Sequence, residues 1–274
     1  FVEGFGGLDP VNVLVEVAAS MRAHGRGGAL LVVPADITQW RESVATPMLY
    51  AVEPPFTGLR DVQSAQRGNG IQLYNTRGAQ VLDNHISFTR DGIYVDVSHH
   101  AVFRGNKMHH LRYGTHYMNS YYNLWERNET YLNRGGLALM EVRDQTVRDN
   151  IAWGNTDHGI MLRTIQDSVI ENNIVAGNGK GFFIYDAEYN TLRGNLVIDN
   201  RIGAHLWARS YRNVVDGNDF IHNREQVRYV ASRDQLWGSN QGNYWSNYAG
   251  WDRNGAGQGA VAYTARVVSA EQMW

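Results

Sequence analysis

Apolar and polar positions fall into a repeat of about 22 residues that runs from Gly70 to about Tyr248. Rungs open at Gly70, Gly92, Gly114, Gly136, Gly159, Gly181 and Gly203, with spacings of 22, 22, 22, 23, 22 and 22 residues. A short alternating run follows each glycine, as in residues 71–74, 93–96, 137–140, 160–163 and 182–185. The second and fourth positions, counted from the glycine, are apolar or aromatic almost throughout. The third and fifth vary. Alternation of period two predicts strands with one face in a core.

A second column fixes the register: Asn84, Asn106, Asn128, Asn150, Asn173, Asn195 and Asn218. Stacked at about 4.8 Å, these side chains predict an asparagine ladder, because Asn tolerates a left-handed turn and its amide can bond the rungs above and below. An apolar column precedes it by three residues (Val81, Phe103, Trp125, Val147, Ile170, Leu192). Another follows it by two (Ile86, Met108, Val175, Val197, Phe220). A leucine-rich repeat has a similar period, but Leu does not dominate these columns and the half-rung opposite the Asn leaves no room for a helix. The prediction is an all-β, right-handed parallel β-helix over residues 61–274, with a C-terminal cap from about 240.

Residues 1–60 do not repeat and predict a small α/β segment, either a cap over the open end of the helix or a fusion remnant. Asp9-Pro10 reads as an N-cap with Pro at the first helical position. Val11, Leu14, Val15, Ala18 and Met21 then follow helical spacing, Gly25 can end the helix, and residues 29–33 read as a buried strand. Residues 27–34, 40–43 and 54–56 faintly resemble a bacterial sensor domain related to diadenylate cyclases. A chain that starts at Phe1 rather than Met reads as a mature form or an excised piece.

Composition narrows the chemistry. Lys+Arg (25) nearly equals Asp+Glu (27), which argues against a nucleic-acid binder. The absence of cysteine removes disulfides, thiolate metal sites and a Cys nucleophile. No run of apolar residues is long enough to predict a transmembrane helix or direct membrane insertion.

In a β-helix, equivalent positions of successive rungs touch, so the repeat is also a surface map. The third column reads Gln72, Tyr94, His116, Ala138, Met161, Phe183 and His205. The fifth reads Tyr74, Asp96, Met118, Met140, Arg163, Tyr185 and Trp207. Both should face outward on one sheet. Met118, Met140 and Met161 then gather beside His116, and thioether sulfur with imidazole favours Cu(I) over hard cations. An apolar partner interface is the plainer use of such methionines. Tyr74, Tyr94, Asp96, Tyr185 and Trp207 flank the patch as candidate partner-binding residues. His99, His100, His109 and His110 read as solvated turn residues, Met108 as core, and His158 and His205 carry no stronger signal.

Many β-helices modify acidic polysaccharides with clustered carboxylates, but Asp96 is the only carboxylate on these two outward columns, and Asp83, Asp149 and Glu171 sit beside the Asn turns. No Ser-His-Asp set or phosphate loop is present. Residues 252–259 look like a degraded calcium loop in which Ala256 breaks the ligand series. The aromatic flank keeps a polysaccharide-binding or -modifying β-helix, of lyase or epimerase type, as the alternative function.

Residues 68–75, 90–94, 108–118 and 138–140, together with 242–252, resemble the NosD family, over roughly residues 61–274. The Arg-Tyr-Gly-Thr-His-Tyr-Met run at 112–118 and the Ala-Leu-Met rung at 138–140 are its more specific parts. The resemblance implies a non-enzymatic periplasmic β-helix that works with ABC transporter subunits and a copper chaperone. Together they supply copper to apo nitrous oxide reductase for its copper–sulfur site. His116, Met118 and Met140 match the family's motif. Met161 comes from the rung geometry.

Overall fold

Inward-facing apolar columns and left-handed corners together dictate a three-sided coil. A computed structural model describes residues 68–253, 255 and 258–267. The helix and strand expected within residues 1–60, and the sensor-domain resemblance there, lie outside the described residues, as does part of the calcium-like loop. Short strands stack in parallel into sheets of nine, eight and eight strands. The coil is a right-handed parallel β-helix of about eight turns, with no helix among the described residues.

The first sheet carries the strand after each opening glycine, from Ile71–Tyr74 to Arg266–Val267. The second runs from Gln80–Leu82 to Leu236–Trp237 and the third from His85–Ser87 to Tyr244–Trp245. The core is what the repeat predicts. Val81, Phe103, Trp125, Val147, Ile170 and Leu192 come from the second sheet; Met108, Val175, Val197 and Phe220 come from the third; all are buried. Phe103 and Trp125 stack at 3.9 Å between centroids, and Tyr117 meets both edge-on.

The corners refine the asparagine prediction. The left-handed residue is the one before each ladder Asn: Asp83, Gly105, Arg127, Asp149, Asn172, Gly194 and Gly217 have φ between 53° and 68°. Asp, Asn and Gly suit that conformation. The Asn that follows is free to build the ladder. Asn128 donates its main-chain N–H and its side-chain amide to Asn150 Oδ1, both at 3.0 Å, and also bonds the Phe103 carbonyl at 2.9 Å. Two further ladders occupy the other corners. One is Asn133, Asn155, Asn178, Asn200 and Asn223. The other is Gln145, Ser168, Asn190 and Asn213, with Asn123 joined to Gln145 through the Tyr117 hydroxyl.

Outside the core, the second sheet carries an ion ladder. Glu126 pairs with Arg104 at 2.6 Å and Arg148 at 2.7 Å from the adjoining rungs, and with Arg127 at 3.1 Å. The opening glycines are required by close approach of rungs. A Cβ at Gly136 would collide with the Gly159 carbonyl oxygen and press on Thr130. Gly136→Ala is therefore expected to cost about 1–3 kcal/mol of stability through overpacking, measured as a drop in the urea unfolding midpoint. An unchanged midpoint would refute the close-approach account.

Candidate metal centre on the first sheet

Register puts the methionines where the columns predict. Gly135, Ala138 and Met140 on strand Gly135–Arg143 lie beside Tyr113, His116 and Met118 of strand Tyr113–Met118. On the other side they lie beside His158, Met161 and Arg163 of strand His158–Gln166. Ala138, Met140 and Met161 form a small apolar cluster separate from the main core, with Met118, Tyr113 and Phe183 packed against it. All three predicted methionines thus meet on the outer face. Met140 and Met161 are buried even there, each 8% exposed. Ala138 at the centre provides a low floor between His116 and Met161.

His116 is anchored from one side. Its Nδ1 lies 3.1 Å from Asp91 Oδ2 and 3.0 Å from Arg112. Arg112 forms a two-pronged pair with the Asp91 carboxylate at 2.8 and 2.5 Å. Burial pushes the Asp91 carboxyl up, but hydrogen bonds to His116 and Arg112 outweigh it and hold it below the usual range. Both His116 contacts use Nδ1, leaving Nε2 as the nitrogen available to a ligand. Tyr94 meets the imidazole edge-on at 5.1 Å and Tyr113 at 5.6 Å.

Asp91 adds a carboxylate to this face from outside the two columns on which Asp96 is the only one. Strict alternation breaks at the glycine column. A Cβ at Gly92 would meet Leu111 and Met108 in the core, and Ile93 also points inward, so the residue before the glycine faces out. That missed column brings Asp91, Tyr113, Gly135, His158 and Lys180 onto the same face.

The flanking residues divide. Tyr74 is 54% exposed at the first rung. Tyr94 packs on His116, and Asp96 accepts a 3.0 Å hydrogen bond from Asn119. Tyr185 lies under Arg163. Trp207 falls just beyond strand Ile202–Leu206 and packs edge-on against Phe183. Met118, Met140 and Met161 separate the Tyr74–Tyr94 end from the Tyr185–Trp207 end, so the aromatic stripe is interrupted.

The weaker histidines also differ from expectation. His109 lies 2.6 Å from both His85 and His110 through different ring nitrogens and stacks on Tyr131. Burial, then the two neighbouring imidazoles, push it down to about 4. His205 is 3% exposed, packs on Phe183 and Trp207, and has no hydrogen-bond partner on either nitrogen among the described residues. Burial, then Lys180 and Arg228, lower it to about 4, with Glu225 opposing and Arg201 adding. Between pH 6.5 and 4 the unfolded chain binds a proton at His205 that the folded chain does not. Stability that is complete above pH 6.5 should therefore fall as pH drops, by about 3 kcal/mol at pH 4 from His205 alone. His205→Phe is expected to flatten that slope in urea titrations, leaving the share due to His109. A slope identical to that of the parent chain would exclude His205 as its source.

No group of three His, Asp or Glu side chains among the described residues is arranged to hold a metal ion. A metal on this face would need thioether sulfur among its ligands, and the donor set of three methionines and His116 fits a soft ion. Elsewhere, a pocket of about 460 Å³ at the C-terminal end is lined by Arg201, Arg224, Glu225, Arg228 and Tyr263 among others.

The fold and this face define a parallel β-helix that carries soft sulfur and imidazole donors on one outer sheet. The model of the family "Periplasmic copper-binding protein (NosD)" matches residues 55–250, and the chain belongs to that family. A relative from Stutzerimonas stutzeri, named "Probable ABC transporter binding protein NosD", is 36% identical over 310 aligned positions, covering 93% of this chain and 71% of the relative. A protein of the same name from Pseudomonas aeruginosa is 42% identical over 221, covering 75% of this chain and 52% of its own length. A mutant of the periplasmic alginate epimerase AlgG shares the fold alone, at 18% identity and a TM-score of 0.51, over 60% of this chain and 48% of that one.

Proposed function

We propose that this chain is a non-catalytic periplasmic protein that receives Cu(I) on its first sheet and passes it on during assembly of the copper–sulfur site of nitrous oxide reductase. The observation that carries the reading is the meeting of Met118, Met140 and Met161 beside His116, assembled by rung register from three strands. The family description as copper-binding and periplasmic supports it. Copper is cargo here, so a partly buried thioether site, which holds a soft ion and leaves it exchangeable, suits delivery. The partners in this reading are the ABC transporter subunits, a copper chaperone and the apo reductase, and the relatives' name agrees with the first. Tyr74, Tyr94, Asp96, Tyr185 and Trp207 border the copper face and form the rim that a donor or acceptor protein would touch. Titration of the purified chain with Cu(I) against a colorimetric chelator tests the proposal. Stoichiometric binding is the expected result, and failure to compete with the chelator would end it.

A second reading rests on the pocket lined by Arg201, Arg224 and Arg228. Glu225, also in the lining, pairs with Arg228, which leaves Arg201 and Arg224, with Tyr263, to meet a carboxylated sugar. Incubation with uronate oligomers, followed by calorimetry and a search for unsaturated products, separates binding from lyase chemistry. No heat and no product would remove this reading.

A further inference from the structure

The outer face of the first sheet holds a second imidazole that the methionine column does not reveal. His158 opens strand His158–Gln166 and is 1% exposed. Both its ring nitrogens lack a hydrogen-bond partner among the described residues. A buried polar group without a partner costs about 1–3 kcal/mol, so an orphan of this kind asks for an explanation.

Its position supplies one. In register, His158 stands beside Gly135, and its Nε2 lies 2.5 Å from the point a Cβ of Gly135 would occupy. The Tyr113 ring closes on the same point from the opposite rung. A larger residue at 135 would block the imidazole edge. Gly135 and Ala138 together make the floor of a three-by-three patch. Tyr113, His116 and Met118 stand along one side and His158, Met161 and Arg163 along the other, with Met140 closing one end.

His116 and His158 are also oriented alike. Each has a carboxylate at Nδ1: Asp91 at 3.1 Å from His116 and Asp157 at 3.4 Å from His158. The second contact is longer than a well-aligned hydrogen bond, in keeping with the orphan status of that nitrogen. A basic partner holds each carboxylate in turn, Arg112 for Asp91 and Lys180, at 2.7 Å, for Asp157. Metal-bound histidines are oriented in this way, with the far nitrogen held by a carboxylate and the near one turned to the metal. The Tyr113 ring packs near both, 5.6 Å from the His116 ring and 5.7 Å from the His158 ring.

We infer that His158 is a ligand of the copper site, presenting Nε2 across the Gly135–Ala138 floor from His116, with Asp157 as its positioning residue. This rests on the copper reading above and adds an imidazole at the end of the site nearest Met161, three residues along the same strand. A second imidazole raises the nitrogen share of the donor set, and the bare glycine is what admits it.

The test uses the whole chain and Cu(I) itself. His158→Asn keeps a polar group near Asp157 but removes Nε2. It is expected to weaken Cu(I) binding about 10- to 100-fold in chelator competition, and X-ray absorption should show one nitrogen scatterer fewer per copper. His158→Met should recover much of the affinity with sulfur in place of nitrogen. Should His158→Asn fail to fold, the wild-type chain labelled with 15N answers the same question. Addition of Ag(I), a diamagnetic soft ion, should shift the Nε2 resonances of both His116 and His158. If the wild-type chain binds Cu(I) and the His158→Asn chain matches it in affinity and absorption, the inference is overturned while the copper reading stands. Silent His158 resonances on Ag(I) binding overturn it equally. If the wild-type chain binds no Cu(I), both fall together.

Discussion

Replacing Asn150 with alanine is expected to lower the thermal unfolding midpoint by roughly 10–20 °C. Asn150 is fully buried at the middle of the longest ladder. Its Oδ1 accepts the main-chain N–H and the side-chain amide of Asn128, and its own amide donates to the Trp125 carbonyl and to Asn173 Oδ1, both at 2.9 Å. The substitution leaves the buried N–H of Asn128 without its acceptor, which costs about 1–3 kcal/mol, and removes three further bonds of about 1 kcal/mol each. A total of about 4–6 kcal/mol converts, at 2–4 °C per kcal/mol for a domain of this size, to roughly 10–20 °C. Circular dichroism melts measure it directly. A shift of under about 2 °C would show that the ladder is ornament rather than support.

Changing Met118 and Met140 together to leucine is expected to weaken Cu(I) binding at least about 100-fold, since loss of an outer-shell partner alone costs 10- to 100-fold at a metal site. The same pair should leave folding nearly intact. Leu and Met are close in volume, such exchanges cost under about 1.5 kcal/mol each, and these side chains lie in the small outer cluster rather than the main core. Binding and stability are thus separable in one protein. Chelator competition reads the first and a thermal melt the second. Unchanged affinity in a well-folded double variant would remove these two residues from the site and leave the sheet as an apolar interface.

Much of this protein was written in its columns. The Asn84-to-Asn218 series, the apolar columns on either side of it and the inward Met108 all follow from spacing alone. So does the juxtaposition of His116, Met118 and Met140, because parallel in-register stacking turns a 22-residue interval into a neighbour contact. The other two ladders were equally periodic. Asn133, Asn155, Asn178, Asn200 and Asn223 recur at 22 or 23 residues, but their phase falls just before the opening glycine, where turn residues look like punctuation. The third mixes Asn, Gln and Ser, so no single letter marks it.

The rest required the tertiary structure. Asp91 and His158 precede an opening glycine, and the missing side chain of that glycine faces the core. Two successive inward positions break the alternation from which orientation was inferred, so both residues were assigned to no face. Burial was equally out of reach. Periodicity says that Met140, Met161 and His205 leave the core, but it does not say that they also leave solvent. The sequence by itself determined the coil, its register and the side chains that stack, because those depend on local geometry repeated at a fixed interval. Only the tertiary structure decided which way the corner residues turn, which imidazole nitrogens remain free and which outward groups are dry, because those depend on contacts between residues that no common period relates.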